Sequence, residues 1–244
     1  MVVDVSVIAM WAHPRAVSTA FLRMMIERGD VCIVHEPLVT LTDWNEVRAP
    51  GLDGGTATLR GPDEVLGHLA KLGVDRTVFF KDTLEYRHQY LFDHPEEIAG
   101  FRHTFIVRDP AKAIASHHLI KPEVACHEIG YEHQYDLFEL AWRVSGERPV
   151  VIRAESLLTE PAETVAAYCR AVDLPYLPHA LQWVPEDRAE WHRSRRWHLD
   201  AIASSGFSAP AKEYAATVDN DERLRSYYDH HRPYYDRLVE HALI

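Results

Sequence analysis

Short apolar runs alternate with helical patterns over roughly the first two thirds of the chain. The runs cover residues 5–11, 31–34, 77–80, 104–107 and 149–152. After the first run, residues 18–28 repeat apolar positions at helical spacing, which predicts an amphipathic helix. Runs that are apolar on both faces and separated by helices are typical of parallel strands covered on both sides. The pattern therefore predicts an α/β fold: a three-layer sandwich with a mostly parallel central sheet.

Two segments depart from this alternation. Residues 38–60 are rich in Gly, Thr and Asp, which predicts a long mobile loop able to act as a lid. The strand pattern stops near Pro185, and residues 221–243 predict a closing helix, so 185–244 is expected to be a helical extension packed on the sheet. Because no linker composition separates these parts, we expect one domain over residues 1–244.

Every predicted strand ends in polar or charged residues. In an open parallel sheet, ligands bind outside the carboxyl ends of the strands. This rule predicts one crevice lined by residues 13–19, His35, Glu36, Lys81, Asp82 and Arg108.

Composition narrows the classes of ligand. The 244 residues include 26 Lys and Arg against 37 Asp and Glu, a net charge of −11, which argues against nucleic acid as a partner. No apolar run reaches the length of a membrane helix and no leader peptide opens the chain, so no membrane partner is expected. Three cysteines without a CxxC spacing fit a reducing cytoplasm. A small-molecule ligand in the crevice is the remaining expectation.

The first candidate anion site is the sequence HPRAVST at 13–19, between a strand and a helix. A loop in this position directs backbone N–H groups and the positive end of a helix at an anion. It is not a Walker A loop, because it has no glycine and no Gly-Lys-Ser/Thr ending. Arg15 could bind a phosphate or sulfate through two hydrogen bonds. Ser18 and Thr19 could donate hydroxyl hydrogen bonds or serve as ordinary helix N-caps.

The second candidate anion site pairs Arg108, at a strand end, with Ser116 eight residues later in the next helix. Both could face a common anion from different elements. Alternatively, Arg108 pairs with a nearby acidic residue and Ser116 is a solvated helix residue. Two anion sites in one crevice predict a ligand with phosphates at both ends.

These two motifs resemble the signature of sulfotransferases that use 3′-phosphoadenosine 5′-phosphosulfate (PAPS), in a small bacterial branch of the P-loop superfamily. The blocks HEPL at 35–38, FFKD at 79–82 and residues 150–176 extend the resemblance. It implies a P-loop sulfotransferase-like fold, PAPS as donor and adenosine 3′,5′-bisphosphate as product. It also implies which residues bind the donor. The 5′-phosphosulfate is held by the loop residues Pro14, Arg15, Ala16, Val17, Ser18 and Thr19, and the 3′-phosphate by Arg108 and Ser116.

The sequence departs from the family pattern at three points. Arg15 stands where many members have a lysine that acts on the bridging oxygen of the leaving group, and Val17 stands where a glycine is usual. The C-terminal Arg-Lys-Gly motif that closes over the 3′-phosphate is missing. Its expected substitutes are the loop 204–207 and three arginines, Arg193, Arg195 and Arg196.

Sulfuryl transfer needs an in-line arrangement, stabilisation of the transferring charge and a base for the acceptor hydroxyl. We expect Arg15 to stabilise charge, and Glu36 to be the base because a carboxylate shielded from water can have a raised pKa. His35 is the second candidate for the base. Lys81 is expected either to contact the sulfuryl group or acceptor, or to pair with Glu36 or Asp82. No metal is expected, because the adjacent histidines at 117–118 and 230–231 lack ligand spacing.

The resemblance thus implies a PAPS-dependent sulfotransferase acting on a hydroxyl of a small-molecule acceptor. Two alternatives stay open: kinase-like or lyase chemistry on a phosphorylated or sulfated ligand, and a nucleotide-binding module without catalysis. The identity of the acceptor is open, and so is homodimerisation through the aromatic last helix.

Overall fold

In the computed structural model, which describes residues 6–208 and 212–243, a five-stranded parallel sheet forms the centre of the protein. In chain order the strands are β1 (Val7–Ala12), β2 (Cys32–His35), β3 (Val47–Pro50), β4 (Thr56–Leu59), β5 (Val78–Thr83), β6 (Arg102–Val107) and β7 (Val150–Arg153). The central sheet has the order β2-β5-β1-β6-β7, and β3 pairs with β4 as an antiparallel hairpin. The predicted α/β fold is confirmed, and each of the five apolar runs overlaps a strand of this sheet.

Helices cover both faces of the sheet. They are α1 (Ser18–Arg28), α2 (Pro37–Trp44), α3 (Pro62–Asp75), α4 (Gln89–Asp93), α5 (Pro110–Ile120), α6 (Tyr131–Ser145), α7 (Ala154–Thr159), α8 (Pro161–Ala171), α9 (Leu199–Ala203) and α10 (Glu222–Val239). Short 3₁₀ helices occupy Pro95–Ile98, Cys126–Ile129, Pro178–Leu181 and Ala189–Trp197. None of the helices in the described part of the chain is long and apolar enough to span a bilayer.

Strand β1 separates two apolar cores, because successive side chains of a strand point to opposite faces. Trp11 packs on one face with residues from α3, α6 and α10, and Met10 packs on the other with residues from α1 and α8. Trp11 is fully buried and its indole donates a hydrogen bond to His103 Nδ1 at 3.1 Å. The unbroken apolar runs in the sequence follow from this burial on both faces.

Strand register brings the carboxyl ends of the strands to one edge. Ala12 of β1 pairs with Thr83 of β5, and His35 of β2 pairs with Lys81 of β5. Strand β6 lies on the other side of β1 and ends just before Arg108. The residues that follow these strands are therefore neighbours.

The prediction of a long loop over 38–60 is wrong. Most of the segment forms α2 and the β3–β4 hairpin, and only its turn is rich in glycine. The Asp82 carboxylate caps the start of α2 by accepting hydrogen bonds from the backbone N–H groups of Leu38 (2.6 Å) and Val39 (3.2 Å). Val47 and Leu59 anchor the hairpin in the core. The cap comes from a distant strand, so local composition did not reveal it.

Gly130, just before α6, has a left-handed backbone (φ 87°), and a Cβ there would lie 2.7 Å from the Leu84 carbonyl oxygen. Gly146, just after α6, is also left-handed (φ 71°), but a Cβ there meets no atom within 4 Å. We expect Gly146→Ala to lower the free energy of unfolding by about 1–2 kcal/mol, because a non-glycine residue is strained in the left-handed conformation. Gly130→Ala should cost roughly 2–5 kcal/mol because overpacking adds to that strain. Urea unfolding measures both, and equal losses would show that Gly130 is not needed for close approach.

Candidate active site

A cavity of about 350 Å³ opens at the carboxyl edge of the sheet. Its walls come from the loop after β1, the ends of β5 and β6, helices α2 and α5, and residues within 194–208 and 212–214. A volume of this size is within the range of small-molecule sites. All eight residues expected to bind the donor line it: Pro14, Arg15, Ala16, Val17, Ser18, Thr19, Arg108 and Ser116.

His13 fixes the start of the loop. Its Nδ1 donates to the Pro14 carbonyl oxygen at 2.8 Å, and its Nε2 accepts from the Arg108 N–H at 3.0 Å. The ring stacks on Tyr131 with centroids 3.9 Å apart. Burial lowers the pKa of His13 to about 3, so the ring is neutral at pH 7, as these two bonds require. His13 therefore joins the loop to the β6–α5 junction.

The loop itself has an unusual backbone. Arg15 (φ 67°) and Val17 (φ 70°) are both left-handed, a conformation that normally favours glycine. Val17 is the residue before α1, and no side chain caps that helix. The alternative that Ser18 or Thr19 is an N-cap is therefore wrong. Instead, the Thr19 hydroxyl lies 3.1 Å from His198 Nδ1, and Ser18 is buried at the cavity wall.

The Arg15 guanidinium is held at three points. Its Nε donates to the Ser116 hydroxyl at 3.0 Å, its Nη1 donates to the Trp197 carbonyl at 2.6 Å, and its Nη2 pairs with Asp200 at 3.1 Å. Arg15 and Ser116, expected at opposite ends of the ligand, are thus in direct contact. The two motifs therefore meet at the wall of one cavity.

Arg108 supports this site from below the loop. Its Nη1 donates to the Arg15 carbonyl oxygen at 3.1 Å, and its own carbonyl accepts a hydrogen bond from the Tyr131 hydroxyl at 2.5 Å. The alternative partner predicted for Arg108, a nearby acidic side chain, is replaced by this backbone carbonyl. Arg108 therefore stabilises the left-handed turn at Arg15 while lining the cavity.

Glu36 and Lys81 form a buried ion pair at the cavity wall. Their backbones are also bonded, from the Glu36 N–H to the Lys81 carbonyl at 2.7 Å. Burial by itself raises the pKa of the Glu36 carboxyl, but the charge of Lys81, helped by His35 and His198, lowers that pKa below its usual range. The expectation of a raised pKa at Glu36 is wrong, whereas the expected pairing of Lys81 with Glu36 is confirmed.

His35, the second candidate for the base, lies behind this ion pair. Its Nε2 is 3.8 Å from the Glu36 carboxylate, and its ring packs edge-on against His198 with centroids 5.2 Å apart. Among the described residues that line the cavity, His198 is present and His35 is not. Burial lowers the pKa of His198 to about 3, so this ring is neutral at pH 7.

The described residues of 194–208 and 212–214 include several that sequence reasoning missed. Asp200 pairs with both Arg15 and Lys212, and Trp197, His198 and Tyr214 also line the cavity. The three expected arginines do not line it in the part of the chain that the structure describes: Arg193 lies over Trp44, Arg195 pairs with Asp187 and Arg196 lies over Trp197. Of the expected loop, Ser204 and Gly206 do line the cavity.

Two clusters bring possible metal-ligand atoms within 4.8 Å of one another: His35, Glu36 and His198, and Cys126, His230 and His231. In the first, the Lys81 ammonium already neutralises Glu36. In the second, His231 Nε2 donates to the Cys126 carbonyl at 2.7 Å and so offers no lone pair on that atom. A ligand role for Glu36 Oε1 or His231 Nε2 would therefore require the Lys81 ion pair or the Cys126 hydrogen bond to break.

The Glu36–Lys81 pair generates a stability prediction. Removing one member leaves the other charged and buried, so Glu36→Gln or Lys81→Met should each cost about 3–5 kcal/mol in urea unfolding at pH 7. The control is the exposed pair Arg232–Asp236, where Arg232→Ala should cost less than about 1 kcal/mol. Losses at Glu36 or Lys81 as small as this control would mean that the pair is solvated.

Solved structures with a similar fold are sulfotransferase domains. The sulfotransferase domain from the curacin biosynthetic pathway superimposes with a TM-score of 0.50 at 16% identity, covering 82% of this chain and 83% of that one. The sulfotransferase domain from the Synechococcus PCC 7002 olefin synthase superimposes with a TM-score of 0.53 at 12% identity, covering 93% of this chain and 94% of that one. At these identities the likeness establishes the fold.

Two curated proteins of Arabidopsis thaliana are similar in sequence. Branched-chain-amino-acid aminotransferase-like proteins 1 and 2 are 27% and 26% identical to this chain over 222 and 225 residues. The match covers 84% of this chain but only 37% of each plant protein. The chain thus spans little more than a third of these relatives, and their names give no activity for it.

The sequence profile of the sulfotransferase domain family matches residues 6–240, nearly the whole chain. This match agrees with the fold and with the convergence of both motifs on one cavity. The chain belongs to the sulfotransferase domain family.

Proposed function

We propose that this protein transfers a sulfuryl group from PAPS to a hydroxyl of a small-molecule acceptor and releases adenosine 3′,5′-bisphosphate. The observation that carries the proposal is the contact of Arg15 with Ser116 beside Arg108, at one end of the cavity. This set offers a guanidinium and a hydroxyl from different elements, which suits a phosphate better than a neutral group. When bound, PAPS supplies the activated sulfuryl group.

Arg15, expected at the 5′-phosphosulfate, would instead hold the 3′-phosphate of the nucleotide together with Ser116. A phosphate dianion competes well with the Asp200 carboxylate for Arg15, because it carries more charge. Lys212, which also pairs with Asp200, would add a second cation here. Residues 194–208 and 212–214 would then take the place of the missing C-terminal motif.

Lys81 and the backbone of the loop would stabilise the transferring group. Lys81 lines the cavity one strand away from the loop, and Glu36 fixes the position of its ammonium. The uncapped N-terminus of α1 adds a positive dipole end at the same place. Charge stabilisation by pre-positioned groups is usually the largest contribution to such a reaction. In this proposal Glu36 is a positioning residue for Lys81.

Calorimetric titration with adenosine 3′,5′-bisphosphate tests the donor site directly. We expect adenosine 3′,5′-bisphosphate to bind with micromolar affinity. AMP and ATP should bind at least tenfold more weakly, because they lack the 3′-phosphate. Arg15→Ala and Ser116→Ala should each weaken the binding of adenosine 3′,5′-bisphosphate by roughly 10–100-fold, because each variant loses a hydrogen bond to a charged group. Binding of AMP should change little in Ser116→Ala, since the lost contact is specific to the 3′-phosphate.

Arg223→Ala is the matched control, because Arg223 is an exposed arginine on α10 that bonds the Pro122 carbonyl outside the cavity. It should bind adenosine 3′,5′-bisphosphate like the wild type. Equal affinity of the wild type for AMP and adenosine 3′,5′-bisphosphate would contradict the proposal.

A further inference from the structure

Among the described residues, four carboxylates line the cavity: Glu36, Asp43, Glu85 and Asp200. Three of them already have an ion-pair or hydrogen-bond partner. Glu36 pairs with Lys81, Asp43 accepts a hydrogen bond from the Tyr86 hydroxyl at 2.9 Å, and Asp200 pairs with Arg15 and Lys212.

Glu85 differs from these three. Among the residues that the structure describes, none donates a hydrogen bond to its side chain or forms an ion pair with it. A carboxylate that lines a cavity without a donor of its own is available to a ligand.

The backbone places Glu85 close to the anion-binding loop. It lies two residues after Thr83, the last residue of β5, and Thr83 pairs with Ala12 at the end of β1. The Leu84 N–H extends this pairing by donating to the Ala12 carbonyl at 2.8 Å. Glu85 therefore follows the end of β5 next to the end of β1, where the loop begins.

The surroundings of Glu85 oppose its negative charge. Burial is the largest cause, and the carboxylates of Glu36 and Asp43 add to it, so the pKa of Glu85 is raised to about 7. Lys121 acts in the opposite direction, but it is itself paired with Glu128, whose charge again raises the pKa. Glu85 thus exchanges a proton near neutral pH, in contrast to Glu36.

Attack by a hydroxyl on sulfur requires a group that removes the hydroxyl proton. Such a base works best when its pKa is close to the working pH and when it reaches the acceptor inside the site. Glu36 meets neither condition well, because its pKa is lowered and Lys81 occupies its carboxylate.

We infer that Glu85 is the general base of the reaction and contacts the acceptor hydroxyl. The acceptor oxygen forms a bond to sulfur while the bond from sulfur to the phosphate oxygen of the nucleotide breaks. The hydroxyl proton moves to the Glu85 carboxylate, and the electron pair of the broken bond leaves with adenosine 3′,5′-bisphosphate. The inference rests on the proposed function.

The test compares the wild type with Glu85→Gln, Glu85→Asp and Asp43→Asn. Each protein is given ³⁵S-labelled PAPS with a panel of phenols and primary alcohols, and kcat is measured between pH 5.5 and 9. We expect the wild-type kcat to rise with pH through about 7, because only the ionised carboxylate accepts a proton. In Glu85→Gln, kcat should fall by roughly 10²–10⁴-fold and lose this rise, while Glu85→Asp is intermediate.

Asp43→Asn is the matched variant, since Asp43 lines the same cavity but acts on Glu85 only through its charge. Removing that charge should move the rise in kcat to lower pH without abolishing it. A merely structural role of Glu85 would leave the position of this rise unchanged in Asp43→Asn.

Binding separates the two proposals. Glu85→Gln should bind adenosine 3′,5′-bisphosphate like the wild type, and its thermal midpoint at pH 8 should equal or exceed that of the wild type, because the fold disfavours the charged carboxylate. If the wild type binds no adenosine 3′,5′-bisphosphate, the proposed function fails. If it binds but Glu85→Gln keeps kcat within threefold with the same pH dependence, the role of Glu85 fails alone. Transfer by the wild type to no acceptor of the panel would overturn both.

Discussion

The candidate site depends on the backbone of the loop between β1 and α1. Two non-glycine residues, Arg15 and Val17, are left-handed there, which costs about 1–2 kcal/mol each. The surrounding structure compensates through His13, which bonds the β6–α5 junction, and through Arg108, which bonds the Arg15 carbonyl. This backbone directs the Arg15 side chain across the cavity to Ser116. Strain at a ligand-facing loop is maintained only when its neighbours over-determine the conformation.

Charges of both signs line one cavity. The cations are Arg15, Arg108, Lys81 and Lys212, and the carboxylates are Glu36, Asp43, Glu85 and Asp200. An anionic donor and a neutral acceptor whose proton must be removed would use the cations and the carboxylates differently. The net charge of −11 does not reveal these local cations, since it averages over the whole chain.

Much of the fold could be predicted because a parallel strand buried on both faces is an unbroken run of apolar residues in the sequence. The runs around Trp11, Phe79 and Ile106 are examples. The segment 38–60 was misjudged because its helix is capped by Asp82 from another strand and only its turn has loop composition. A local sequence pattern does not predict tertiary contacts of this kind.

The candidate site was also predicted where it depends on local sequence and missed where it depends on tertiary contacts. Strand-end residues were predicted to converge, since register alone brings Glu36, Lys81 and Arg108 to one edge. The contact of Arg15 with Ser116 depends on the left-handed backbone at Arg15, and the contribution of Asp200 depends on the path of the chain after Trp183. No motif specifies either feature. The direction of the Glu36 pKa was missed because it depends on the distance to Lys81, not on burial alone.

A crystal structure of the protein with adenosine 3′,5′-bisphosphate tests the central claim most directly. The account predicts the 3′-phosphate against the Arg15 guanidinium and the Ser116 hydroxyl, with Asp200 displaced from Arg15. A 3′-phosphate bound away from Arg15 and Ser116, or a nucleotide bound outside the cavity, would contradict it.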